Sequence, residues 1–183
     1  MLREFIPEPA YSTTDEDTVY ALLARRAEND PEDLIAQWQD EGSRQWHDVT
    51  AGQMLNRVKE VAKGLLGLGV KAGNMVVIYS PTCYEWGVVD FACAAIGAVS
   101  VPVCETDSAK QAASIVDEVD PVIAFAGDSA HTQILEQIRD EHDGLRYVFN
   151  FKADGLDAVA DFGQGVDDDA LERAIARVKA DDM

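Results

Sequence analysis

Residues 46–106 read WHDVTAGQMLNRVKEVAKGLLGLGVKAGNMVVIYSPTCYEWGVVDFACAAIGAVSVPVCET, and the order of apolar periods within them decides the fold. Met54, Val58, Val61, Leu65 and Leu68 recur at the spacing of one helical face. Thr50 and Gln53 ahead of that face form a T-x-x-Q capping box, which satisfies two backbone donors that the first turn leaves unpaired. Val49 and Met54 flank the cap as a hydrophobic staple. Gly69 then predicts a Schellman ending, with Val70 against Leu65. After it the period changes. Met75–Tyr79 is a continuous apolar run, as expected of a parallel strand covered on both faces. Thr82–Ile96 is apolar nearly all round, a deeply packed helix for which Thr82 and Glu85 offer a second capping box. Ala98–Val103 is a short strand with Pro102 near its end, where a missing donor is tolerable.

The alternation continues downstream. Ser108 and Gln111 cap a helix carrying Ala112, Ile115, Val116 and Val119. Pro121–Ala126 is a strand, Ser129–Glu141 a helix with Ile134, Leu135 and Ile138 inward, and Leu145–Phe151 a fourth strand. This βαβαβαβ order implies an α/β fold, a layered parallel sheet with flanking helices and right-handed crossovers. Residues 152–166, rich in Gly, Asp and Ala, read as the least structured part. Asp168–Ala180 is a last helix, with Asp167, Asp168 and Asp169 as favourable N-terminal charge. Upstream, Asp15–Asp17 precede a helix whose Val19, Leu22, Leu23 and Ala27 face one way, and Asp30-Pro31 stops it. Leu34–Gln39 and Arg44–Val49 read as two strands of a β-hairpin around residues 40–43. Residues 1–45 are thus an entry helix and the start of a hairpin, and residues 46–183 an α/β subdomain.

A chain of 183 residues with 47% hydrophobic and 27% charged residues suits one soluble domain of ordinary size. No run of about 18 apolar residues is present to span a membrane, and Met1–Pro7 lacks the apolar core of a signal peptide, so a cytoplasmic location is expected. The net charge of −19 makes nucleic acid and anionic lipid poor partners, since both need a basic patch. Cys83, Cys93 and Cys104 form no C-x-x-C pair, and His47, His131 and His142 are too scattered for metal-ligand spacing.

Candidate sites are few. Gly64, Gly67, Gly69 and Gly73 end a helix and precede a strand, the reverse of a phosphate-cradling loop. Ser80-Pro81-Thr82-Cys83 runs from a strand into a helix, where open parallel sheets bind ligands. It has no glycine, and its hydroxyls are accounted for as helix caps. The loop Cys104-Glu105-Thr106-Asp107-Ser108 follows the next strand in the same way, and its Glu105 could position a substrate. Tyr84 could line an apolar pocket, whereas Trp86 falls in register with Val89, Cys93 and Ile96 as core. No strand-to-helix G-x-S-x-G or Walker-type G-x-x-x-x-G-K-[ST] is present.

From Trp46 to Asp128 the chain resembles the opening portion of the AMP-forming acyl-CoA synthetases, most of all their long-chain fatty acid branch. The resemblance rests on Trp46 and Thr50 entering a helix, on Leu68-Gly69-Val70 and Gly73, and on Glu85-Trp86 ahead of an apolar helix. Gly97–Val103 and Glu105-Thr106 complete it. Cys104 replaces the tyrosine usual before Glu-Thr, Gly73-Asn74 departs from Gly-Asp, and Cys83 sits where asparagine or arginine is common.

The resemblance implies a large N-terminal domain of layered α/β sheets and an enzyme that uses ATP and magnesium to make an acyl-adenylate from a fatty acid. The acyl group then passes to coenzyme A. Ser80, Thr82, Tyr84, Glu105 and Thr106 are the residues it places nearest substrate. The family's phosphate loop, magnesium-binding Glu, ribose-holding Asp and C-terminal Lys have no counterparts here, and Asp181-Asp182-Met183 resembles the turn ahead of that loop. A truncated polypeptide is therefore expected. It should be inactive alone and hold no cofactor or metal of its own, with self-association possible through open strand edges and peripheral membrane contact possible for the whole enzyme. The alternative is a stand-alone flavodoxin-like or receiver-like module, for which Asp128 is the nearest phosphoacceptor candidate.

Overall fold

The structure, a computed structural model, describes residues 14–40, 42–153 and 155–182. The reading of Met1–Pro7 and the Met183 end of the last turn lie outside the described residues. The elements in chain order are α1 (Val19–Asn29), β1 (Leu34–Gln39), β2 (Trp46–Thr50), α2 (Ala51–Gly67), β3 (Met75–Tyr79), α3 (Tyr84–Ile96) and β4 (Val99–Val103). There follow α4 (Ala109–Val119), β5 (Ile123–Ala126), α5 (Ser129–Glu141), β6 (Tyr147–Asn150), α6 (Gly155–Phe162) and α7 (Asp168–Ile175), with a 3-10 turn at Gly163–Gly165. β1 and β2 pair antiparallel as a separate hairpin, whereas β4-β3-β5-β6 form one parallel sheet in that order.

That order reverses direction once. The chain steps from β3 to β4, then passes back over β3 to β5 and on to β6. Crossovers between parallel strands are right-handed, so a reversal of stepping direction moves the connecting helix to the opposite face. Accordingly α3 packs with α1, α2, α6 and α7 against Val76, Ile78, Ile123 and Phe125. Helices α4 and α5 cover Val77, Tyr79, Ala124 and Ala126 on the other face. The result is a three-layer sandwich whose strands are apolar on both sides, as their sequence predicts.

Local signals explain most element ends. Thr50 Oγ1 accepts from Gln53 N–H while Gln53 Oε1 accepts from Thr50 N–H, and Ser108 and Gln111 repeat the arrangement for α4. Gly69 lies at φ 86°, and Val70 N–H donates to Leu65 C=O while Gly69 N–H donates to Leu66 C=O, a complete Schellman motif. The stripe Met54, Val58, Val61, Leu65 and Leu68 is buried throughout. Asp167 caps α7 by accepting from Ala170 N–H, so the acidic run serves a helix start.

Four expectations are corrected. Leu22 is 58% exposed, because α1 turns Tyr20, Leu23 and Ala27 to the core instead. The second hairpin strand starts at Trp46, since Arg44 sits at φ 57° in the turn and donates its N–H to Asp40 C=O. The last helix stops at Ile175 rather than Ala180. Residues 155–162 are helical where little structure was expected. The reason for this last departure lies in α2. A Cβ on Gly64 would stand 2.1 Å from Val159 O, and one on Gly67 2.0 Å from Phe162 O, so these glycines let the α6 backbone lie directly on α2. Of the glycine string, Gly64 and Gly67 are a helix-packing seat, whereas Gly69 and Gly73 serve turns at positive φ.

Candidate functional site

Where the strand order reverses, the loops leaving β3 and β5 diverge to opposite faces and a crevice opens at the strands' carboxyl ends. Here it is a cavity of about 730 Å³. One wall is Ser80–Glu85 and Gly87, the floor is Gly127, Asp128, Phe151 and Lys152, and the hairpin residues Ala36–Asp40 and Trp46 overhang it. Gly127 allows this closeness, because a Cβ there would stand 2.6 Å from Ser80 Oγ and 2.8 Å from Pro81 Cδ. Ser80 is buried and its hydroxyl donates to Pro81 C=O at 2.8 Å. The expected Thr82–Glu85 capping box does not form. The α3 N-cap is Cys83, which makes no side-chain cap bond, and Thr82 is left exposed on the crevice rim. On the overhanging hairpin, Trp38 stacks on His47 with ring centroids 4.2 Å apart, and Trp46 is 61% exposed.

The crevice is acidic. Asp40 is held below the usual carboxylate range, chiefly by the Ser43 N–H, and Asp128 likewise, chiefly by the His131 N–H. Glu85 occupies the first turn of α3, and Lys152 is the cation among the lining residues. Burial pushes the Tyr84 phenol and the Cys83 thiol up, so both are neutral at physiological pH. A partly buried thiol held protonated is a weak nucleophile.

The structure divides the sequence-derived site residues. Ser80, Thr82 and Tyr84 line the crevice, whereas Glu105 and Thr106 lie in the β4–α4 loop and are not among its lining. That loop is tied down by His131, a residue the sequence reading did not single out. His131 Nε2 lies 3.0 Å from Glu105 O, and Nδ1 faces Asp128 Oδ1 at 2.9 Å without a well-aligned bond. The ring sits edge-on to Tyr79, whose hydroxyl donates to Asp107 C=O. Asp128 accepts from Ala130 and His131 N–H as the α5 N-cap. The contributions of Gly127, Trp38, Trp46, Phe151 and Lys152 come from elements remote in sequence from the Ser80–Cys83 turn.

A triphosphate needs a run of converging N–H donors or cations. The Ser80–Cys83 turn has no glycine and is flanked by Glu85 and Asp128, so these residues do not fit it. Among the described residues no three His, Cys, Asp or Glu side chains are grouped to hold a metal ion, and no helix is long and apolar enough to cross a membrane. What the crevice offers is an aromatic and acidic wall with one deep hydroxyl.

Comparison with known proteins shows the family of the chain. Residues 23–183 match the family model described as AMP-binding enzyme. The long-chain-fatty-acid–CoA ligase FadD15 of Mycobacterium bovis, and the protein of the same name from Mycobacterium tuberculosis, are each 33% identical over 184 aligned residues, covering 99% of this chain. The chain spans only 30% of the length of those two relatives. The structure of a Mycobacterium tuberculosis fatty acyl CoA synthetase superimposes with a TM-score of 0.63, covering 91% of this chain and 29% of that one, at 21% identity, a likeness of fold. With the family match running from α1 through every strand of the sheet, the chain belongs to the AMP-binding enzyme family, and its relatives there include long-chain fatty acid–CoA ligases.

Proposed function

We propose that this chain forms the leading α/β layer of a long-chain fatty acid–CoA ligase, covering residues 46–183 with residues 1–45 as its entry segment. The whole enzyme activates a fatty acid with ATP and magnesium to an acyl-adenylate and passes the acyl group to coenzyme A. The observation that carries this reading is the family match over residues 23–183 together with 33% identity to FadD15 along nearly the whole chain. The crevice lacks a phosphate grip, so nucleotide contacts belong to other parts of the ligase and the chain alone is inactive. Ser80, Thr82 and Tyr84 form a wall of the substrate cleft. Glu105 and Thr106, held by His131, flank it. The enzyme works in the cytoplasm, and any peripheral membrane contact is made outside this acidic layer.

Fatty-acid-dependent ATP–pyrophosphate exchange tests the proposal. The full-length polypeptide should catalyse it and the 183-residue chain should not. Turnover by the chain alone, or none by the full-length protein with any fatty acid, overturns the reading. A second reading, a flavodoxin-like binding module, draws on the reversal point between β3 and β5, and flavin absorbance in the purified protein would favour it.

A further inference from the structure

A second cavity, of about 240 Å³, shares no lining residue with the crevice. It opens between the start of α1, the last turns of α3, the entry to β4 and the turn after α7, at the amino end of the sheet. Its walls are aliphatic: Val19 from α1, Ala94 from α3, Ala98 and Val99 at the entry to β4, and Val178 and Ala180 after α7. Val178 is packed closely here, since a Cβ on Gly97 would stand 3.3 Å from its Cγ2.

Into this apolar space the fold sets one carboxylate without a charge partner. Asp90 lies on the same face of α3 as Ala94, one turn earlier, and is half-buried. Ser100 Oγ donates to Asp90 Oδ1, which ties α3 to β4. Among the described residues Asp90 Oδ2 accepts no hydrogen bond and Asp90 forms no ion pair. The other polar side chains of the cavity are engaged. Lys179 Nζ pairs with Asp15 at 3.2 Å in an exposed bridge, Asp182 accepts from Lys179 N–H at 2.8 Å, and the Thr18 hydroxyl accepts from Ala21 N–H as the cap of α1. A carboxylate set against apolar walls is costly to desolvate unless a cation meets it.

We propose that this cavity binds a small primary alkylammonium ion, whose ammonium group donates to Asp90 Oδ2 while its alkyl chain lies along Val19, Ala94 and Val178. Charge and shape select that occupant. An anion would be repelled by Asp90 and Asp182, and a neutral alkane would leave the Asp90 carboxylate unpaired. A hard metal cation needs more oxygen ligands than this one carboxylate supplies. The volume lies below the range of about 300–1,000 Å³ for sites that take drug-sized ligands, so the alkyl chain is short. The site is separate from the crevice and does not depend on the ligase reading.

Titration calorimetry of the 183-residue chain with butyl-, pentyl- and hexylammonium chloride at about pH 7, where an alkylamine is protonated, tests this. Hexanol serves as the uncharged counterpart, and Asp90→Asn and Ala94→Leu are measured alongside. Asparagine keeps an oxygen for Ser100 without the charge, and leucine fills the cavity without loss of helix propensity. Saturable binding at one site is expected, tightening about fourfold per added methylene. Asp90→Asn, or hexanol in place of hexylammonium, should weaken it at least about tenfold. Ala94→Leu should abolish it. Absence of saturable binding to the wild type overturns the site. Equal affinity in Asp90→Asn also overturns it, and assigns the heat to diffuse attraction of an ammonium ion by a chain of net charge −19. Hexanol binding as tightly as hexylammonium overturns the choice of a cation. Undiminished binding to Ala94→Leu, with its circular dichroism unchanged, puts the ligand elsewhere and overturns the site.

Discussion

Replacing Gly64 by alanine tests whether the glycines of α2 are a packing seat. In an ordinary helix interior this change stabilises by about 1 kcal/mol, because glycine is the poorer helix former. At position 64 the new methyl would meet Val159 O at 2.1 Å, Val159 C at 2.6 Å and Val159 Cγ1 at 2.8 Å, where ordinary contact begins near 3.4 Å. Two of those atoms are backbone, so no rotamer change relieves the clash and α6 must retreat by about 1 Å. The retreat loosens Val159, fully buried, and Leu156, 6% exposed. Overpacking that forces backbone shifts costs about 1–3 kcal/mol, and the propensity gain offsets part of it. A net loss of about 1–2 kcal/mol is expected, which lowers Tm by about 2–8 °C in a chain of this size. Gly87→Ala is the matched control. It lies in α3 with nothing within 4 Å of its Cβ position, so it should stabilise by up to about 1 kcal/mol. Urea and thermal unfolding of both variants decide the matter. If Gly64→Ala is as stable as Gly87→Ala, the close seat of α6 on α2 does not exist.

Three further outcomes follow from particular groups. Thr50→Ala removes half of a formed capping box and should cost about 1 kcal/mol in urea unfolding, with Thr50→Ser restoring most of it. Asp128 is depressed in the folded state by the His131 N–H, so its contribution is present above the ordinary carboxylate range and is lost as pH falls through its lower folded value. The stability advantage of wild type over Asp128→Asn should therefore be constant above about pH 5 and shrink below about pH 4, read from unfolding curves at each pH. The Cys93 thiol is 1% exposed and burial raises its pKa strongly, whereas Cys104 is exposed. A thiol reagent at pH 8 should modify Cys104 first, Cys83 more slowly and Cys93 only on unfolding, which mass spectrometry of partially labelled protein would show.

Much of the fold could be read from local chemistry. The capping pairs Thr50–Gln53 and Ser108–Gln111, the Gly69 ending and the apolar runs at Met75–Tyr79 and Ile123–Ala126 are contests between neighbouring groups, and neighbours in sequence settle them. The Thr82–Glu85 box failed although its residue types were right. Ser80 turns its hydroxyl to Pro81 C=O and Cys83 rather than Thr82 is the α3 N-cap, where Gly127, in the loop after β5, comes close to Ser80 and Pro81. The candidate site was legible in the same partial way. Ser80, Thr82 and Tyr84 could be placed at a strand end, while Trp38, Trp46 and Phe151 join them only through the hairpin overhang and the sheet order.

What the sequence by itself determined, then, is the succession of strands and helices, their caps and the family they resemble, because periodicity and capping act over a few residues. Tertiary structure alone decided that the chain steps back over β3, opening a crevice, and that Gly64 and Gly67 serve α6. Those outcomes depend on contacts between residues tens of positions apart, whose geometry only the packed sheet specifies.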